Sequence, residues 1–171
     1  MGLMGAGKSA IGKALADRLG VPFLDSDAEI ETASNLSIAE VFETYGEDFF
    51  REKEAQVLAR LVREETGILS TGGGAFLRAE NQASIAAHGI AVWLRADLAL
   101  LWSRVKHKDT RPLLRTPDPK ATLAALCQAR EPEYAKAEVV VDARPEYSIE
   151  DTTTLVVNTL LERADVLEKV T

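Results

Sequence analysis

The sequence is poor in the features that would place it in several protein classes. Its single cysteine, Cys127, excludes an internal disulfide and any metal site built from cysteines. It has two histidines, His88 and His107, and neither has partners at metal-ligand spacing. No apolar run approaches the ~18 residues of a membrane-spanning helix, and no signal-peptide pattern opens the chain. Basic side chains are outnumbered, 20 against 27 acidic, for a formal charge of −7. Non-specific nucleic-acid binding needs clustered Lys and Arg, so neither nucleic acid nor a membrane is an expected partner. Any anion should be held in a local pocket, and the expected location is the cytoplasm.

What is present is an ordinary globular balance of 46% hydrophobic residues in 171, enough for one domain with a full core. Short β-branched runs alternate with helical patterns, which predicts an α/β fold with a mostly parallel sheet covered by helices. Strands are expected at 21–25, 67–70, 90–94 and 137–142. Helices are expected from the opening loop to Gly20 and at 37–46, 47–65, 80–88, 97–106, 120–136 and 149–169. Ser37 and Glu40 form a capping-box pattern. Trp93 and Trp102 read as core residues. Segment 106–119 breaks the pattern, with Lys106, Lys108, Arg111 and Arg115 among Pro112, Pro117 and Pro119; it is expected to be a mobile flap.

The chain opens MGLMGAGKSA, and Gly2 to Ser9 spell G-x-x-x-x-G-K-S. Such a loop wraps phosphates with backbone N–H groups, its lysine reaches the β- and γ-phosphates, and its hydroxyl ligates Mg²⁺. The helix that follows aims its positive end at the anion. This says nucleotide without saying which reaction.

Other residues could carry chemistry. Asp25 and Asp27 stand at the carboxyl end of a strand, where α/β sheets place ligands. They can serve a hydrated metal and an attacking hydroxyl, or they can simply cap a helix. Gly72, Gly73 and Gly74 follow a strand directly and can offer backbone N–H groups to a polar ligand. Arg51, Arg111 and Arg130 carry guanidinium groups suited to a carboxylate or a phosphoryl group, although a lone surface arginine is usually only solvated.

The motifs GLMGAGKS, LDSDAEIE, FFREKE, LSTGGGA, TRPLL and AREPEY, in this order from residue 2 to about 142, resemble the successive signatures of shikimate kinases. That resemblance implies a three-layer α/β/α P-loop kinase fold with a five-stranded, mostly parallel sheet. It implies a single domain over 1–171, with a substrate-binding helical region at about 26–65 and a lid at about 106–119, in a monomeric enzyme. The implied reaction moves the γ-phosphoryl group of ATP to the 3-hydroxyl of shikimate, on the way to chorismate and the aromatic amino acids.

By matching position, Gly5, Ala6, Gly7, Lys8, Ser9 and Ala10 would hold the ATP phosphates. Ser9 would ligate Mg²⁺, and Asp25 would reach it through water. Asp27 would contact the reacting hydroxyls as base. Arg51 and Arg130 would grip the substrate carboxylate, with Gly72, Gly73 and Gly74 completing the pocket. Phe42 and Phe50 would form its apolar wall, and Glu54 would orient Arg51. Arg111 would close onto the phosphates as a catalytic residue beside Lys8 and Asp27, and Arg104 would lie near the adenine.

Ala10 departs from the threonine common in the family, and DARPEYS matches the adenine loop only loosely. The strand that should deliver the loop is missing ahead of Gly2. The expectation is that β-branched residues precede it in the natural protein, with Met1 standing where a strand residue belongs. The competing readings are another small-metabolite kinase of the gluconate kinase type, which does not need the Arg51, Gly73 and Arg130 cradle at these positions, and a truncated, non-catalytic nucleotide binder.

Overall fold

A computed structural model describes residues 1–108, 112–163 and 166. Helix α1, Lys8–Leu19, starts on Gly7 and stops on Gly20, both in left-handed backbone (φ 89° and 65°) that glycine adopts without strain. Strand β1, Phe23–Asp25, leads straight into α2, Ser26–Ser34. The sequence does not announce α2: only Ser26 and Ile30 are buried in it, so there is no apolar stripe to read.

The two helices expected at 37–46 and 47–65 form one run, α3, Ile38–Glu64, broken in backbone geometry at Gly46 (φ 84°, ψ 172°). That conformation is essentially reserved for glycine, so Gly46 turns the chain between two helical segments. The Ser37–Glu40 capping box is formed in both directions.

Strand β2, Ile68–Ser70, is followed by the glycines, a 3-10 turn at Ala75–Leu77, and α4, Ala79–His88. Then come β3, Val92–Arg95, α5, Leu98–Val105, and α6, Pro119–Tyr134. The chain closes with β4, Val139–Asp142, and α7, Ile149–Leu161. The expected helix end at 169 lies outside the described residues.

The strands are parallel, as the alternation of elements requires. They form two ladders: β1 with β2 (Phe23 opposite Ile68) and β3 with β4 (Val92 opposite Val139). Met1 lies along β3. Its amino group donates to the Val92 carbonyl at 2.8 Å, and its carbonyl accepts from Leu94 N–H at 2.9 Å. That is the bonding of a single residue in a parallel ladder. So among the described residues four strands are present where the family pattern has five, and Met1 bonds as one strand position would.

The main core joins Leu3, Met4, Ile11, Leu15, Trp93, Leu94, Leu101, Leu123, Tyr134 and Val141. Trp93 is buried in it, and Trp102 packs at its margin, half-buried. A second cluster, Ile30, Val41 and Phe50, with Phe42 packed against it, holds α2 to α3. Helix α1 packs on β1, β2 and α7, which places the loop before it at the carboxyl ends of the strands. No helix among the described residues is long and apolar enough to cross a membrane.

Candidate active site

The loop before α1 is folded as its sequence demands. Gly5 and Gly7 both adopt positive φ, 84° and 89°. A side chain at Gly5 would meet Val105 Cγ1 at 3.0 Å and the Leu101 carbonyl at 3.3 Å, because α5 lies directly behind it. Lys8 Nζ donates to the carbonyls of Gly2 (2.7 Å) and Leu3 (3.2 Å), so it is folded back across its own loop. Arg104, on α5, donates to the Gly5 carbonyl at 2.9 Å. This arginine therefore buttresses the loop, a contact that no spacing in the sequence foreshadows.

The two aspartates separate in role. The Asp25 carboxylate caps α2, accepting from the N–H groups of Asp27 (2.9 Å) and Ala28 (3.3 Å). The capping alternative thus holds for Asp25. It does not hold for Asp27, whose Oδ1 is buried with no hydrogen-bond partner. Burial, and then the charges of Asp25 and Glu54, raise the Asp27 pKa from 3.8 to about 6, while Lys8 acts in the opposite direction.

Glu54, expected to orient Arg51, is hydrogen-bonded to it. It occupies the apolar face beside Phe50 and Leu58 and is 1% exposed. Its Oε1 accepts from Arg51 Nη1 at 2.9 Å, and its Oε2 is buried without a partner. Burial raises its pKa, with Arg51 opposing. Arg51 also faces Glu47 through Nε at 3.6 Å.

The glycine triplet organises these groups. A Cβ at Gly72 would sit 3.0 Å from Asp27 Oδ1 and 3.2 Å from Glu54 Oε2. One at Gly73 would sit 3.2 Å from Arg130 Nη1. One at Gly74 would fall within the Arg51 guanidinium, 2.6 Å from Nη2. Each glycine thus makes room for a different charged side chain. Phe42 and Phe50, with ring centroids 4.5 Å apart, stand beside Arg51, whose guanidinium is 5.2 Å from the Phe50 ring.

One cavity of about 1040 Å³ takes in the whole set: Gly5 to Ala10, Asp25, Asp27, Phe42, Phe50, Arg51, Glu54, Gly72 to Gly74, Arg104 and Arg130. Ser70, Thr71, Lys108, Arg115 and Tyr147 line it as well, and sequence reasoning had not singled them out for the site. Arg111, expected to close on the phosphates, lies outside the described residues. His88 ends α4 and His107 follows α5; among the described residues no group of His, Cys, Asp and Glu could hold a metal by itself. Ser9, exposed at the start of α1, and Asp25, which lines the same cavity, suit an ion that keeps most of its water and is completed by phosphate oxygens, as Mg²⁺ is.

A phosphate loop on a parallel α/β scaffold, opening into a cavity with a buried carboxylate and two arginines, is the arrangement of a P-loop kinase. The family model for shikimate kinase matches residues 4–161. The chain is 59% identical to the shikimate kinase of Ruegeria pomeroyi over 168 residues, covering 98% of this chain and 86% of that one. Among solved structures, the shikimate kinase from Acinetobacter baumannii in complex with shikimate superposes with a TM-score of 0.88 at 35% identity, covering 94% of this chain and 90% of that one. A gluconokinase from Sinorhizobium meliloti superposes with a TM-score of 0.63 at 19% identity, covering 98% and 93%, a likeness of fold alone. The chain belongs to the shikimate kinase family and is an ATP-dependent kinase.

Proposed function

We propose that this cavity transfers the γ-phosphoryl group of ATP to the 3-hydroxyl of shikimate, with Asp27 as the base and Arg51 and Arg130 as the carboxylate clamp. The observation that carries the reading is the glycine triplet. It sets an unpartnered carboxylate and two guanidinium groups around one space, on the same cavity as the phosphate loop. A hydroxy acid needs both: a base at one end and a cationic fork at the other.

The N–H groups from Gly5 to Ala10 and the Lys8 ammonium neutralise the phosphates, for which Lys8 exchanges its loop carbonyls for phosphate oxygens. Bound Mg²⁺, held by Ser9 directly and by Asp25 through water, would neutralise charge on the phosphate oxygens. Asp27 accepts the proton of the 3-hydroxyl as its oxygen bonds to the γ-phosphorus, and the bond from that phosphorus to the β-bridging oxygen breaks to release ADP. General-base assistance of this kind is worth roughly 10²–10⁴ in rate. Arg51 and Arg130 orient the acid through paired N–H donors. Phe42 and Phe50 cover the ring, and Glu54 holds Arg51 in place.

Arg104, which donates to the Gly5 carbonyl in the free protein, lies near the adenine in this reading. A lid that excludes water, the role the family resemblance gives to Arg111 and the segment at about 106–119, would protect ATP from hydrolysis. The region at about 26–65 binds the acceptor within one domain. The protein works as a monomer in the cytoplasm.

A substrate panel tests this reading. ADP release with saturating ATP should depend on shikimate and remain at background with gluconate. Turnover with gluconate in place of shikimate, or ATP binding with no turnover on either, overturns it.

A further inference from the structure

Tyr134 ends α6 and is completely buried, yet it carries a polar hydroxyl into the core. A buried hydroxyl left without a partner is destabilising. Here it donates to the Gly73 carbonyl at 2.5 Å. Its ring packs against Trp93, centroids 5.7 Å apart, so the phenol cannot swing away. Arg130 lies one turn earlier on the same face of α6. The space in front of Gly73 is bounded by Arg130 Nη1 and the Tyr134 hydroxyl together, 3.2 and 3.7 Å from a Cβ built there. Burial raises the phenol's pKa, with the Arg130 charge opposing, so the hydroxyl stays protonated and able to donate.

We infer that Tyr134 is a positioning residue for the acid-binding clamp: its hydroxyl holds the Gly73 carbonyl on its own side and braces the Arg130 guanidinium, so that the Gly74 N–H and the guanidinium face the substrate. The inference rests on the reading of the cavity as the acceptor site. The peptide between Gly73 and Gly74 is trans, so its C=O and N–H point in opposite directions. Fixing the carbonyl on Tyr134 therefore aims the Gly74 N–H the other way, and that N–H has no acceptor among the described residues. Pro132 lies within the same last turn and removes one helical N–H there, so the tie to Gly73 also secures a turn that is one bond short. Tyr134 touches neither reacting atom, and its contribution acts through Gly73 and Arg130.

The test compares wild type with Tyr134→Phe, which removes the hydroxyl and keeps the ring. Calorimetric binding should show shikimate affinity weakened about tenfold, ATP affinity within twofold, and kcat changed far less than the KM for shikimate. In Arg130→Ala background the same substitution should cost less than in wild type, because the two residues act together. Unchanged shikimate affinity in a Tyr134→Phe protein that binds ATP normally overturns the inference. Wild type that binds no shikimate overturns the reading of the site instead. A second measurement needs no variant: the chain has 3 tyrosines, so labelling their ring carbons gives few NMR signals. The Tyr134 Cζ resonance should move on adding shikimate alone, and a resonance that stays still overturns the inference.

Discussion

The Arg51 guanidinium lies across Gly74, in the space a side chain at 74 would need. Gly74 itself has ordinary right-handed backbone (φ −89°, ψ −11°), so alanine fits the chain there without strain. What alanine cannot do is share space with Arg51, whose Cζ would be 2.7 Å from the new carbon. Gly74→Ala is therefore expected to displace a flexible side chain at small cost in stability. It should raise the KM for shikimate at least tenfold while leaving the KM for ATP within twofold. Initial-rate kinetics on both substrates check this.

Arg51→Lys tests the clamp from the other side. Lysine keeps the charge but loses the planar fork, and leaves Glu54 buried beside a point charge. The expected loss in kcat/KM for shikimate is about 100-fold, from ~2–3 kcal/mol of charge-assisted hydrogen bonding. Equal kcat/KM in the two proteins would remove Arg51 from the clamp.

The pH dependence follows from Asp27. Its pKa in the ligand-free protein is about 6, so the basic carboxylate form fills as pH rises through that value. The kcat/KM for shikimate should climb about tenfold per unit below pH 6 and level off above it, and Asp27→Asn should lack this limb. Stability has the opposite sign. A carboxyl whose pKa is raised on folding, from 3.8 to about 6, binds more protons in the folded than in the unfolded chain over that window. Its contribution to stability therefore falls as pH rises from 3.8 to 6. The melting temperature of Asp27→Asn relative to wild type should be more favourable at pH 7 than at pH 4.

A fold prediction concerns Gly12 in α1. A methyl there would meet Phe23 Cε2 at 2.7 Å, because α1 packs tightly on β1. Gly12→Ala should lose ~1–3 kcal/mol by overpacking despite its better helix propensity. Denaturant unfolding measures it, and a more stable variant would contradict the packing described.

Much of this was legible before the structure because the chemistry sits in short contiguous windows. Lys8 stands in a glycine-marked loop at a helix start, and Asp27 and Gly72 to Gly74 follow strand ends, where period and punctuation in the sequence are clear. Helix α2 was not legible from periodicity as an element of its own, since its short run buries little. The Gly46 break hid inside two helical patterns that backbone hydrogen bonding joins into one element. The link between Tyr134 and Gly73 spans 61 residues and has no local signature at all. The contact of Arg104 with Gly5 spans 99 and is equally silent. Local pattern identifies residues that need special backbone or charge; partners set by tertiary packing appear only when the chain is folded.

The most direct test of the central claim is ADP release with shikimate by Asp27→Asn, run alongside a measurement of ATP binding. Asparagine keeps the size of the side chain and removes its basicity. The expected result is turnover reduced roughly 10²–10⁴-fold, as for loss of a general base, with ATP affinity retained. Turnover within a few-fold of wild type would contradict the assignment of Asp27 as the base.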